Sequence, residues 1–362
     1  MTGRLDDEGR LVEQVARACS RAQDPLALLE RVASLVRRRV PYAAAGWLLV
    51  DPDTMLLNAA FNEDTPRAAH LELIQCELEA EDVNKFVDVA RSPVPAASLS
   101  GATGGDLGRS ARWSKVYGPR GYGDELRGMF RSGAAVWGHV CMTRWADDPW
   151  FTPAEVALVA RLGPHVGNGI RTSLLLAGAP DTVADAAPAL VVLTDDGEVE
   201  SMSALAQAWL GPLDDERLQS TIVLHEVARQ ARLLDEGDAS GPPALARVWT
   251  RAVGWIVVRA ARIDDASGGA GRTAVVLEQA RRSDVAPILL HAHRLTPREQ
   301  EVARLMLSGV STEEAAAELW ITTETLRGHV KSLFAKLGVR SRPELVALLS
   351  HEPAVPTARS ER

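Results

Sequence analysis

Residues 295–349 read LTPREQEVARLMLSGVSTEEAAAELWITTETLRGHVKSLFAKLGVRSRPELVALL, and this stretch sets the architecture of the C-terminal part of the chain. A hydroxyl residue stands three positions before a glutamate at Thr296/Glu299, Ser311/Glu314 and Ser341/Glu344, the spacing of a reciprocal capping box. Each announces a helix, and Thr322 supplies a fourth start ahead of Thr323 to Leu337 without a box glutamate. Gly309 and Gly338 each follow a helical run, where a left-handed residue closes a helix. A short helix from Thr312 to Leu319, the break Trp320-Ile321-Thr322 and the longer helix Thr323 to Leu337 have helix-turn-helix spacing. On the longer helix Leu326, Val330, Leu333, Phe334 and Leu337 take the core positions, while Glu324, Arg327, Gly328, Lys331 and Ser332 project the other way.

Charge agrees with that reading. The 362-residue chain has 40 Lys+Arg against 48 Asp+Glu, a formal charge of -8. From Arg294 to Ser350 there are 8 basic and 7 acidic residues, so this segment is slightly positive and the acidity belongs to the rest. Between Thr323 and Arg342 five basic residues (Arg327, Lys331, Lys336, Arg340, Arg342) meet one acid, a local cationic patch of the kind phosphate binding needs. Only four lysines occur, Lys85, Lys115, Lys331 and Lys336, and two of them fall on this helix.

The length suggests two or three domains. Three cysteines, Cys19, Cys76 and Cys141, are widely spaced and form no C-x-x-C, so neither a disulfide framework nor a structural zinc module is indicated. Met1 to Arg10 has no apolar stretch behind it of the sort a secretory signal requires. The uncharged run Val40 to Val50 is about half of the ~20 residues a membrane-spanning helix needs. A cytoplasmic protein without a membrane segment is expected.

The first segment, to about Leu176, opens with helical patterns; in Asp24 to Arg39 the residues Leu28, Leu29, Val32, Leu35 and Val36 recur at three and four, and Pro41 ends the run. Ala43 to Asp51 and the stretch through Met55, Leu57 and Phe61 read as strands of a hairpin turning at Pro52-Asp53. A helix is expected around Leu71 to Val89, a long loop over Ser92 to Gly123, and strands at Leu126 to Phe130 and Ala134 to Arg144. Thr152-Pro153-Ala154-Glu155 starts a long helix to about Leu176, with a kink at Gly163-Pro164. Beyond a linker the pattern is strand (Ala189 to Thr194), an Asp195-Asp196-Gly197 turn, a return strand from Val199, helices at Ser203 to Leu210 and Ser220 to Leu234, and strands at Leu245 to Arg251, Gly254 to Ile263 and Arg272 to Glu278. Two strands, helices, then three strands describe an antiparallel sheet with helices inserted on one side. The fold class is therefore α+β multidomain with an all-α four-helix C-terminus: a sensory domain 1–176, linker 177–187, second sheet domain 188–282, linker 283–293, helical domain 294–350 and disordered tail 351–362.

The C-terminal stretch resembles the LuxR-type DNA-binding domain, through its L-T-x-R-E opening, the glycine after helix one and the run T-x-x-x-H-x-x-x-x-x-x-K-L-G-V-x-S-R ending at Arg342. The resemblance implies a helix-turn-helix that binds double-stranded DNA as a homodimer, with RNA polymerase as a further candidate partner. It puts Arg327, Gly328 and Lys331 at base-facing positions and Thr322, Thr325, Ser332 and Arg342 at phosphate-contacting ones; Thr312, Thr323 and Lys336 complete the candidate DNA-binding set. The last helix, Pro343 to Leu349, is where the family dimerises. Two departures stand out: Ala315 replaces the usual isoleucine, and Gly328 lies inside the recognition helix at a cost of about 1 kcal/mol relative to Ala.

Ahead of it, GPRGYGDELRGMF (118–130), WGHVCMTR (137–144) and PWFTPAEVALVARLGPHV (149–166) resemble the GAF-like sensory part of actinobacterial LuxR-type regulators, and PALVVLTDDGEVESMSALAQAWLG (188–211) is similar to the opening of a PAS-like domain. Such domains enclose a pocket between sheet and helices, so a small-molecule effector is implied. Asp124, Glu125 and Arg127 read as charges at a loop edge, forming an ion pair or orienting a polar ligand. Trp137, His139 and Cys141 alternate onto one strand face, lining a pocket or packing a core, and with Arg127 they are the ligand-binding candidates. No second metal-ligand pair accompanies His139 and Cys141, and no cofactor or metal is expected. Without a G-x-S-x-G elbow, an H-E-x-x-H or a phosphate-binding loop, an enzyme is not expected either. The reading is a sequence-specific transcription regulator; the alternative is a protein-interaction regulator with weak or no direct DNA binding.

Overall fold

The computed structural model describes residues 2–21, 24–66, 68–177, 187–211, 221–237, 241–250, 252–264 and 271–349. The expected tail 351–362 and most of the expected linker 177–187 lie outside the described residues. The chain forms two compact units, one from Met1–Gly178 with Asp185–Gln279 and the other from Ala280 onward.

In the first unit, helices α1 (Thr2–Cys19) and α2 (Pro25–Val36) precede strands β1 (Ala44–Val50) and β2 (Leu57–Glu63). Then come α3 (Ala68–Glu79), α4 (Phe86–Arg91), β3 (Ala96–Ser98), α5 (Leu99–Thr103), β4 (Tyr122–Ser132), β5 (Ala135–Trp145) and α6 (Pro153–Ala177). The five strands form an antiparallel sheet in the order β2-β1-β5-β4-β3. One face carries large aromatic side chains: Trp47 stacks on Phe130 at 5.9 Å between ring centroids, and both are fully buried with Phe61. Burying each phenylalanine contributes about 1.5–3 kcal/mol.

Helix α6 runs unbroken from Pro153 to Ala177 with Pro164 inside it, its start closed by Thr152 and Glu155, whose backbone and side chains exchange hydrogen bonds at 2.8 and 3.3 Å. Gly163 serves close approach to the sheet, since a methyl there would come within 2.3 Å of the Met129 carbonyl oxygen. The expected loop at 92–123 is instead packed structure: β3, α5, 3-10 turns at 107–109 and 118–120 and a π turn at 113–117. Hydrogen bonds hold it in place of periodicity; Asp124 accepts from the Ser100 backbone and hydroxyl at 2.8 and 2.7 Å and from the Phe151 backbone at 2.9 Å.

A second antiparallel sheet follows: β6 (Ala189–Leu193), β7 (Val199–Met202), then helices α7 (Ala204–Leu210) and α8 (Ile222–Asp235), then β8 (Leu245–Thr250), β9 (Gly254–Ile263) and β10 (Arg272–Gln279). Its order, β7-β6-β10-β9-β8, repeats the order of the first sheet when each set is counted from its own first strand. The two sheets are tied by a buried ion pair, Arg247 to Asp51 at 2.8 Å, beside the Asn58 amide donating to the Arg247 carbonyl at 3.1 Å.

The second unit is helical throughout: α9 (Arg282–Ala292), α10 (Pro297–Leu307), α11 (Thr312–Glu318), α12 (Thr323–Leu337) and α13 (Arg342–Leu349). The stretch 283–293, expected as a linker, is thus helix α9, which buries Val285, Ile288, Leu289 and Leu290 and packs against α13. The boxes at Thr296/Glu299 and Ser311/Glu314 are both formed. The third is half-formed: Ser341 caps the Glu344 backbone at 3.3 Å, but the Glu344 carboxylate reaches one residue further back, to the Arg340 backbone at 2.8 Å.

Candidate nucleic-acid interface and sensory cavity

Helix α12 presents two faces. Leu326, Leu333 and Leu337 are buried and Val330 and Phe334 half-buried, while Arg327, Gly328 and Lys331 are exposed. Thr322 caps the helix by accepting the Thr325 N–H at 3.1 Å, and the two hydroxyls share a hydrogen bond of 2.9 Å. Arg327 makes only a solvent-exposed pair with Glu324 at 3.4 Å, worth little in water. Lys331 has no ion pair among the described residues. A methyl on Gly328 would meet nothing within 4 Å, so packing inside the domain gives no reason for a glycine there.

Other residues of the candidate set are occupied within the unit. Ser332 donates to Glu299 at 2.6 Å, Lys336 donates to the same carboxylate at 2.6 Å, and Arg342 holds the Met306 carbonyl through Nε and Nη2 at 2.9 and 2.7 Å. Burial opposes ionisation of Glu299, but the hydrogen bonds from Lys336, Ser332 and Thr296 outweigh it and hold the carboxyl down at about 2. Thr312 is exposed and Thr323 half-buried. The sequence places Trp320 in the break without a role of its own; it is 94 % exposed and adopts φ +56°, a left-handed conformation rare for so large a residue.

In the first unit the sheet face opposite α6 borders a cavity of about 430 Å³. Cross-strand neighbours make its floor: Asn62, Gly46, Cys141 and Arg127 in one row, and beside it Leu48 and His139. Helices α3 and α4 wall it, and α8 of the second sheet domain adds Ile222, Glu226 and Gln230. Three candidates, Arg127, His139 and Cys141, therefore meet at one cavity. Trp137 does not join them. A register shift at Phe130/Arg131, where β5 advances two residues against one on β4, is a β-bulge that breaks the alternation. Trp137 instead lines a separate cavity of about 270 Å³ with Trp209, Trp249 and Trp255.

His139 stacks on Phe86 at 3.4 Å between centroids, and the Arg127 guanidinium caps the same ring at 3.9 Å. Burial, with the Arg127 charge, pushes the imidazole well below its usual range, so it is neutral. Glu125 and Arg127 form the expected ion pair, as part of a buried chain: Asp82 to Arg112 (2.9 Å), Arg112 to Glu125 (2.6 Å), Glu125 to Arg127 (3.0 Å) and Arg127 to Glu77 (2.7 Å). Arg112 carries no sequence signal, lying where no period is legible. Glu226 did carry one, since it shares the core spacing of Ile222 and Gln230. Burial, reinforced by Glu77 and opposed by the Leu57 N–H, pushes its carboxyl up to about 8. Among the described residues no cluster of three or more metal-ligating side chains occurs, and no helix is long and apolar enough to cross a membrane.

Residues 293–349 match the family described as bacterial regulatory proteins, luxR family, so the chain carries a LuxR-type helix-turn-helix domain at its C-terminal end. Over 59 residues, 16% of the chain, it is 49% identical to the "HTH-type transcriptional regulator in exeN 3'region" of Aeromonas salmonicida, and the match spans 30% of that relative's length. Similar solved structures include a Vibrio cholera VqmA-ligand-DNA complex (16% identity, 47% of this chain and 87% of that one, TM-score 0.24). Another is the GAF domain of an Acinetobacter phosphoenolpyruvate-protein phosphotransferase (12% identity, 50% and 99%, TM-score 0.30).

Proposed function

We infer that this chain is a sequence-specific transcription regulator in which the N-terminal sheet domains, GAF-like and then PAS-like, take a small molecule or partner and so control the helix-turn-helix. The observation that carries the reading is the free face of α12: Arg327, Gly328 and Lys331 are exposed and have no packing duty, within a stretch that matches the luxR family. Laid in a major groove, Arg327 and Lys331, one turn apart, reach successive base edges, and Gly328 between them lets the backbone come close. The capped start of α12 turns the positive end of its dipole toward phosphate. Homodimers on pseudo-palindromic sites follow from this domain type.

Control is a population shift: occupancy of the cavity favours one arrangement of the sensory domains, and with it one DNA-binding state. Helix α6, packed glycine-to-backbone on β4, is the candidate transmitter. The test is a mobility shift on genomic fragments across a salt series. Counterion release gives a steep loss of affinity with salt on the preferred fragments. No retardation at low salt refutes direct DNA recognition and leaves the protein-interaction regulator as the reading.

A further inference from the structure

We propose that the 430 Å³ cavity takes a neutral, chiefly apolar small molecule bearing a hydrogen-bond acceptor, seated on Asn62 and His139 and enclosed jointly by both sheet domains. This deepens the reading of the first unit as a sensor and rests on it.

Two polar atoms of residues that line the cavity floor lack a hydrogen-bond partner: Asn62 Nδ2 and His139 Nδ1, in residues 4 % and 2 % exposed. A buried amide left unmatched is destabilising, so a ligand that supplies an acceptor recovers that loss. Gly46 lies between Asn62 and Cys141 in the cross-strand row, and the missing side chain leaves the floor open beside the amide; even a methyl there would press on Cys141 Sγ at 3.2 Å. The other walls are mainly apolar, from Leu48, Leu57, Leu73, Ile74, Phe86 and Ile222. The cavity's size suits a compact organic molecule.

Charge decides against an ionised ligand. Arg127 is already held by Glu77, Glu125 and the Asn84 carbonyl. Lys85 is held by the Ala80 carbonyl and Arg120 by Glu72 and the Val116 carbonyl, while Arg91 is exposed. In the buried chain three carboxyls, Glu77, Asp82 and Glu125, face two guanidiniums, Arg112 and Arg127, so neither guanidinium is left without a carboxylate for an added anion to pair with. A cation would lie against the amide donor of Asn62 and the Arg127 charge, and its one available counter-charge, Glu226, holds a proton at neutral pH. A protonated Glu226 is a donor in its own right, beside the Asn62 amide, for an acceptor-bearing molecule.

The site is built from both domains, because α8 supplies Ile222, Glu226 and Gln230 to a cavity whose floor is the first sheet. A ligand there bonds one domain to the other.

The experiment uses four probes on one naphthalene body: 2-acetylnaphthalene (neutral acceptor), 2-ethylnaphthalene (no acceptor), 2-naphthoate (anion) and 2-naphthylmethylamine (cation). The full chain is titrated with each by tryptophan fluorescence and thermal shift. The expected result is that the ketone binds at least about tenfold tighter than the other three, about 1.4 kcal/mol. In Asn62→Leu the ketone loses most of its advantage over 2-ethylnaphthalene. The proposal is overturned if the naphthoate or the amine binds as tightly as the ketone, if Asn62→Leu leaves the preference intact, or if no probe binds. Selectivity on the unaltered chain decides even where the variant does not fold. DNA titration with each probe separates the two readings: a ketone that binds without changing DNA affinity refutes effector control but leaves the ligand class standing, and a charged probe that changes DNA affinity does the reverse.

Discussion

Lys336, in the last turn of α12, donates to Glu299 of α10 at 2.6 Å, and the same carboxylate takes the Ser332 hydroxyl at 2.6 Å and closes the N-terminal box of α10 with Thr296. One carboxyl thereby fixes where α12 crosses α10, and a residue on the cationic face works in the domain's assembly. Glu299→Gln is expected to lower the stability of the helical unit by about 1–2 kcal/mol. The folded carboxyl at about 2 is depressed below its ordinary 4.5, so its contribution is complete above 4.5 and is lost as pH falls toward 2. Acid titration of the helical signal in both proteins measures this; equal acid midpoints would remove the role assigned to Glu299.

Arg327→Ala and Lys331→Ala are each expected to lose on the order of 1–3 kcal/mol on the preferred DNA site. Lys336→Ala should leave the order of preference among sequences unchanged. Binding measured on the preferred site and on scrambled sites makes the comparison. Equal losses on all sequences would make Arg327 and Lys331 phosphate contacts.

Gly328→Ala separates stability from recognition. With nothing within 4 Å of the added methyl, the helix should gain about 1 kcal/mol from propensity alone. If the bare backbone lies against base edges, DNA affinity falls while the melting temperature rises. A variant that is more stable and binds DNA unchanged would show that the glycine has no part in the contact.

Glu226 makes the sheet unit sensitive to pH in the opposite sense from Glu299. Its carboxyl, pushed up from 4.5 to about 8, holds its proton more tightly when folded. Its contribution is complete below 4.5 and is lost as pH rises through 8, with a slope of up to about 1.4 kcal/mol per pH unit. Urea unfolding of the sheet unit from pH 5 to 9 should show the decline, and Glu226→Gln should flatten it. An undiminished slope in the variant places the titrating group elsewhere.

What was legible in advance was short-range. The box spacings placed the starts of α10 and α11, and Gly338 ended α12 with φ +70°. The second sheet's strands fall where alternation and the Asp195-Asp196-Gly197 turn put them. Caps, turns and periodicity bind residues a few positions apart, so their chemistry is written in the local sequence. Stretch 92–123 escaped because its order comes from Asp82, Asp124 and Glu125, partners contributed by other elements.

The sequence by itself determined the helix-turn-helix, its hydrophobic face, its outward Arg327, Gly328 and Lys331, and an α+β arrangement ahead of it. Only the tertiary structure decided which polar residues were free. It assigned Ser332, Lys336 and Arg342 to internal partners, turned Trp137 away from His139 through a one-residue bulge, and drew Glu226 across from another domain to a cavity floored by Asn62 and His139. The reason is one of range. A hydrogen bond between groups tens or hundreds of residues apart depends on how sheets and helices pack, and no local pattern encodes that distance.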